Sequence, residues 1–168
     1  MGPVSQPQRA RGADPWGRTG PVTANSRYLV SVSKLIPATR RALFDVVADP
    51  AQHPVIDGSG SVKAVRSGGP ARLSPGATFS MDMHLGTSYK ILNTVVEFDE
   101  PEVVAWRHFN GHIWRYRFTE VEGGTEVTEE WDARGAKNRL GLVLLRFPQR
   151  NKKGMTATLD RLNDLVTT

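Results

Sequence analysis

Glu129 is the side chain best placed to do chemistry. It falls between Val127 and Trp131 in a segment of alternating character, so it shares a strand face with two apolar neighbours. A carboxylate there must be paired, hydrated or protonated, because an isolated buried charge is very costly. It can anchor a ligand hydroxyl, or act as a general acid or base with a raised pKa. The plainer alternatives are an arginine partner or a position at a wet cavity mouth. His108 falls on the same face, and an unperturbed imidazole titrates at about pH 6.5, which makes proton transfer available to it. Otherwise it is simply a hydrogen-bonded histidine among aromatics. His53 and Asp57 occupy a short-helix turn from which they could guard an entrance, while His84 and His112 read as loop-adjacent or outward.

Other chemistries fail on inspection. The chain has no cysteine, which excludes disulfides, thiolate zinc sites, iron–sulfur clusters and a cysteine nucleophile. It has no G-x-S-x-G elbow, no P-loop, no G-x-G-x-x-G fingerprint and no H-E-x-x-H pair. Four scattered histidines argue against a metal, and no cofactor is expected. The glycines close hairpins instead of opening helices, so none should cradle phosphate. A net charge of +5 raises the question of nucleic acid. Part of it sits in a tail holding Arg9, Arg11 and Arg18. Most of the rest is a cluster of Lys137, Arg139, Arg146, Arg150, Lys152 and Lys153. That cluster reads as a solvated helix face, or as a surface for anionic partners, and nucleic acid is not the favoured one. The longest apolar stretch, Leu140 to Leu145, is six residues, so no segment spans a bilayer as a helix. With no apolar leader either, the expected location is the cytoplasm.

The elements that must position these side chains follow from periodicity. Of 168 residues, the first 26 hold four Gly and four Pro without apolar periodicity and should be a disordered tail, leaving one domain at 27–168. A strand is expected at 28–35. A helix with Leu43, Phe44 and Val47 on one face should follow from Ala38, ended by Asp49-Pro50, and a short helix and turn should cover 51–57. Strands are expected at 61–66, 77–85, 89–98, 103–109, 112–121 and 125–133, separated by Gly- and Pro-containing turns. A final helical segment over Lys137–Val166 should be kinked or broken by Pro148, with Met155, Leu159, Leu162 and Val166 on its apolar face.

Two hairpins can be registered. A two-residue turn at Gly123-Gly124 sets Tyr116 opposite Trp131 and Phe118 opposite Glu129. It also sets Arg117 opposite Glu130 and Arg115 opposite Asp132, as exposed ion pairs on the other face. At Asn110-Gly111 a loop of three or five residues is preferred, because it aligns Val104, Trp106 and His108 with Trp114, Tyr116 and Phe118. The inner face then also carries Phe79, Met81 and Met83. Strand 89–98 stays open, with Leu92, Val96 and Phe98 competing against Ile91 and Val95.

This order of elements, β-αα-β₆-α, resembles the α+β helix-grip fold of the START-like, or SRPBCC, superfamily, in its polyketide cyclase/dehydrase branch. The matching segments are SKLIPATRRALFDVVADPAQHPVIDGSG, VVEFDEPEVVAWRHF, WRYRFTEVEGGTEVTEEWD and NKKGMTATLDRLNDLV. The resemblance implies a curved antiparallel sheet of about seven strands wrapped on a long C-terminal helix, with a cavity between them. The implied lining is Met81, Met83, Trp106, His108, Trp114 and Tyr116, with Phe118, Glu129, Trp131, Leu144, Phe147 and Met155, entered beside His53 and Asp57. The implied activity is binding of a small hydrophobic or amphipathic molecule of polyketide, lipid or isoprenoid type. The alternatives are an aromatase or cyclase using Glu129 and His108 for proton transfer, and a protein or RNA interaction module using the basic C-terminal surface. The Pro148 kink should bend the helix near 147–151, press Leu144 and Met155 onto the sheet, and leave an opening rimmed by the basic residues of 146–153; alternatively Pro148 only separates two helices across a filled core.

Overall fold

The computed structural model describes residues 26–168, so the tail expected at 1–26 lies outside the described residues except for Ser26. Seven strands form one antiparallel sheet: β1 (Leu29–Ile36), β2 (Val62–Val65), β3 (Thr78–Leu85), β4 (Thr87–Asp99), β5 (Val103–His108), β6 (Ile113–Val121) and β7 (Gly124–Asp132). The strand order β1-β7-β6-β5-β4-β3-β2 is a meander of β2 to β7 with β1 added at the far edge. Between β1 and β2 lie α1 (Arg40–Ala48), a single 3₁₀ turn (Pro50–Gln52) and α2 (His53–Ile56). The Thr39 hydroxyl caps α1 by accepting from the Ala42 amide at 3.3 Å, and the Asp49 carboxylate caps the 3₁₀ turn from Ala51 at 2.8 Å. The sheet curls around the last helix, giving the α+β helix-grip architecture that the resemblance implied.

The β5–β6 hairpin has the expected longer loop. Trp106 pairs with Trp114 and Val104 with Tyr116, and the His108 amide donates to the His112 carbonyl across the three residues Phe109, Asn110 and Gly111. The β6–β7 hairpin is offset by two residues from expectation. Its loop is Glu122-Gly123, closed by Val121 opposite Gly124, so Tyr116 faces Glu129, Trp114 faces Trp131 and Phe118 faces Val127. The reason lies at Gly124. A Cβ there would stand 2.2 Å from the Ile36 carbonyl oxygen, so this glycine is spent on the close approach of β1, while Gly123 takes the turn conformation at φ 87°. A slip of two preserves both faces but changes every partner. Arg115 therefore opposes Glu130 instead of Asp132, and Arg117 opposes Thr128. The Arg115–Glu130 pair is buried, not exposed, at 4% and 2% accessibility, and Arg115 also donates to Glu97 at 2.6 Å.

Strand β4 resolves its own ambiguity with a bulge between Val95 and Glu97. Before the bulge Ile91, Asn93 and Val95 point inward and Leu92 is exposed; beyond it Phe98 packs inward against Phe44, edge to face, at 5.4 Å. One extra residue lets a single strand serve the inner face with both parities.

Of the expected kink or break, the final helical segment shows a break into two helices: α3 (Arg139–Leu144) and α4 (Phe147–Thr167). The break falls at Leu145-Arg146, where Arg146 adopts the left-handed conformation at φ 60°. Pro148 sits in the first turn of α4, where its missing N–H has no helical partner to lose, so it starts a helix instead of bending one. Leu144 is consequently exposed and is not pressed onto the sheet, whereas Met155 is buried.

Packing fills only part of the space between sheet and α4. Leu43, Phe44 and Val47 of α1 meet Phe118, Val127, Leu159 and Leu162 in a closed core. The row of residues two places further along β6 and β7, Tyr116 and Glu129, is where that filling stops.

Candidate functional site

A cavity of about 770 Å³ opens beyond that core, between the inner face of the sheet, the α2–β2 loop and α4. Of the residues expected to line it, Met81, Met83, Trp106, His108, Trp114, Tyr116, Glu129, Trp131, Phe147 and Met155 do so. Phe118 does not, because it lies in the closed core against Phe44 at 5.6 Å, and Leu144 does not, because it faces out of α3.

Side chains on the inner face fall in rows. Trp106, Trp114 and Trp131 pair across β5, β6 and β7 as one apolar row through the middle. Trp106 lies between two rings, His53 at 5.0 Å and Tyr116 at 5.8 Å. On the core side of this row stand Tyr116 and Glu129. On the other side stand Asn93 and His108, paired across β4 and β5, and His112 beside them. Rows on one face are two residues apart, so the Glu129 row and the His108 row are about 13 Å apart along the strands. The two expected proton-transfer groups are therefore held on opposite sides of the tryptophan row and do not form one dyad.

Glu129 is 3% exposed, and burial pushes its carboxyl up to about 8. A hydrogen bond from the Tyr116 hydroxyl opposes that rise without cancelling it, and the same pairing with burial holds the Tyr116 phenol well above its ordinary value. Neither an arginine nor bulk water supports Glu129, and its Oε2 has no hydrogen-bond partner among the described residues. At the other end, burial lowers His108 to about 4, while burial and the nearby His108 lower His112 to about 3. Their rings stack at 4.3 Å. Asn110 donates its amide to His108 Nδ1 at 3.2 Å, whereas His112 Nδ1 and Asn93 Oδ1 are buried without partners among the described residues. The cavity thus has an apolar waist with polar side chains of Tyr116 and Glu129 at one end and of Asn93, His108 and His112 at the other.

Residues 27–167 match the sequence model of a family described as polyketide cyclase/dehydrase and lipid transport. The chain belongs to that family. It is similar to an uncharacterized protein of Mycobacterium tuberculosis, Rv0088, with 40% identity over 141 residues, covering 80% of this chain and 62% of that protein. The chain thus spans less than two thirds of the length of that relative. Its fold is similar to that of protein Ms6760 from Mycobacterium smegmatis (TM-score 0.65, 20% identity, 84% and 92% of the two chains). It is similar also to the AHSA1-like protein from Aeromonas hydrophila (TM-score 0.60, 17% identity, 81% and 90%).

In this polyketide cyclase/dehydrase-family chain, both expected entrance residues belong to the cavity wall. Asp57 ties its own turn, its carboxylate accepting from the Ser59 amide and hydroxyl at 3.1 and 2.7 Å and from the Val62 amide at 2.8 Å. His53 donates from Nε2 to the Val47 carbonyl at 2.9 Å, and burial lowers its pKa. Among the lining residues, Tyr89 of β4 and the cations Arg150 and Lys153 of α4 are exposed. Sequence reasoning missed Asn93 and His112. The signal for His112 was present, since a three-residue loop after His108 puts His112 directly opposite on the same face. The signal for Asn93 was hidden behind the β4 bulge. Among the described residues no three His, Asp or Glu side chains converge as metal ligands, and no helix is long and apolar enough to cross a membrane.

Proposed function

We propose that the protein binds a small amphipathic molecule in this cavity, its apolar body against the tryptophan row and a hydroxyl on the Glu129 side of it. The observation that carries this reading is a buried, proton-bearing carboxyl in the wall of about 770 Å³ of aromatic and Met-lined space, its Oε2 without a hydrogen-bond partner among the described residues. Space of that size suits a ligand of drug-like or lipid size, and a few placed polar groups fix its orientation. The family's description, which includes lipid transport, supports the same reading. Native mass spectrometry of the purified protein should show a retained small molecule. Calorimetry should then rank a polycyclic phenol or long-chain alcohol about tenfold above the parent hydrocarbon that lacks the oxygen, the cost of leaving the carboxyl unpaired. No retained molecule together with no heat from any alcohol or phenol would overturn the proposal.

The pKa of about 8 at Glu129 favours one further reading, an aromatase or cyclase in which that carboxyl moves a proton. His108, on the far side of the row, would then act on a different part of the chain being folded. Turnover of a poly-β-ketone substrate with a pH profile that changes near 8, and loses that feature in Glu129→Gln, is the expected result. Full activity in Glu129→Gln would exclude the role.

A further inference from the structure

The segment that walls the cavity on one side is uncovered on the other. From α3 and the break after it, Leu142 and Phe147 face the cavity, while Leu140, Leu144 and Leu145 stand 58%, 74% and 64% exposed. Phe109, 61% exposed, lies in the adjoining β5–β6 loop, which is tied to this segment by the Lys137 amide donating to the Asn110 carbonyl at 2.9 Å. No residue of α3 is buried. Four large apolar side chains are thus presented together to the outside at the edge of the cavity. A segment so placed that it served only the fold would present polar residues there.

The chain that carries this apolar face holds charge of one sign, unpaired among the described residues. Between Ala133 and Leu159 it has no Asp or Glu, but it has Lys137, Arg139, Arg146, Arg150, Lys152 and Lys153, while Arg134 is paired with Asp132. Lys137, Arg139 and Arg146 bracket the exposed leucines, and Lys152 is exposed on the first turns of α4. Leucines and a phenylalanine ringed by lysine and arginine match the interface of an anionic bilayer, where apolar side chains enter the headgroup boundary and cations meet the lipid charge. We infer that α3 and the Phe109 loop dock this protein on an anionic lipid surface, with the cavity mouth turned toward the membrane. This goes beyond the cavity reading and does not depend on what the cavity holds.

The test uses the full chain and sedimentation with two sets of vesicles, pure phosphatidylcholine and an equimolar mixture with phosphatidylglycerol. The protein should sediment with the mixed vesicles, release them at high salt, and ignore the neutral ones. Leu144→Glu/Leu145→Glu and Lys137→Glu/Lys152→Glu should each weaken binding by about tenfold or more, while unfolding at the wild-type temperature, since all four side chains are exposed. Equal or absent binding of the wild-type chain to both vesicle types would overturn the inference, whatever the variants do. So would self-association that disappears in the double leucine variant without any vesicle binding, because the occupant of the face would then be a second copy of the chain.

Discussion

A carboxyl that keeps its proton to about pH 8 inside the fold and to about 4.5 outside it carries a definite sign. Between those values the folded state binds the extra proton, so Glu129 makes the protein less stable as pH rises, and the loss is complete above 8. The upper bound is about 5 kcal/mol. Glu129→Gln removes the titration and keeps the shape, so the variant should gain stability over wild type at pH 8.5 and lose that advantage toward pH 4.5. Chemical denaturation at both pH values checks it; an equal difference at both would mean that the carboxyl is not held protonated. This position was legible from sequence, because alternation alone put a carboxylate between Val127 and Trp131. Its partner was not. The hydroxyl of Tyr116 came opposite Glu129 only when the hairpin moved by two residues, a shift that face patterning cannot register.

At the scale of elements, the close contact between the α2–β2 loop and α4 sets the cavity wall. Gly58 donates its amide to the Thr158 hydroxyl at 2.9 Å, and Arg161 donates to the Asp57 carbonyl beside it. A Cβ on Gly58 would stand 2.3 Å from the Thr158 backbone nitrogen and 2.4 Å from the Gly154 carbonyl oxygen, neither of which can give way. Gly58→Ala should therefore push the loop off the helix and cost about 1–3 kcal/mol, measured by denaturant unfolding. Wild-type stability would show that the loop shifts freely. The elements themselves were largely readable: strand and helix periodicities located the whole sheet, α1 and the body of α4. The two places that were not share a cause. The bulge in β4 and the left-handed Arg146 are single-residue departures from periodicity, and in each the residues on either side look regular. A proline in a helical pattern suggested a kink or break at Pro148 itself, but the chain had already turned two residues earlier and used Pro148 to begin again.

For the whole molecule, two sets of buried groups pull stability in opposite directions. His108 and His112 titrate at about 4 and about 3 when folded, against 6.5 unfolded, and burial lowers His53 as well. The unfolded chain therefore takes up protons first as pH falls below 6.5, and stability declines. Glu129 acts the other way from 4.5 to 8, but it is one group against at least two where the ranges overlap. Stability should thus rise to a maximum at about pH 6.5 and fall again toward 8. Thermal unfolding from pH 4.5 to 8.5 will show the peak, and a rise continuing through pH 8 would contradict it. The tryptophan row has an optical consequence. Three of the four indoles in the chain line one cavity, in register on neighbouring strands, while the fourth, Trp16, lies outside the described residues. The near-ultraviolet circular dichroism of the protein is then mostly a signal from the cavity wall, with Trp106 fixed between two other rings. A guest lying against that row would change the spectrum without any label, making the protein its own reporter of whether it is full or empty.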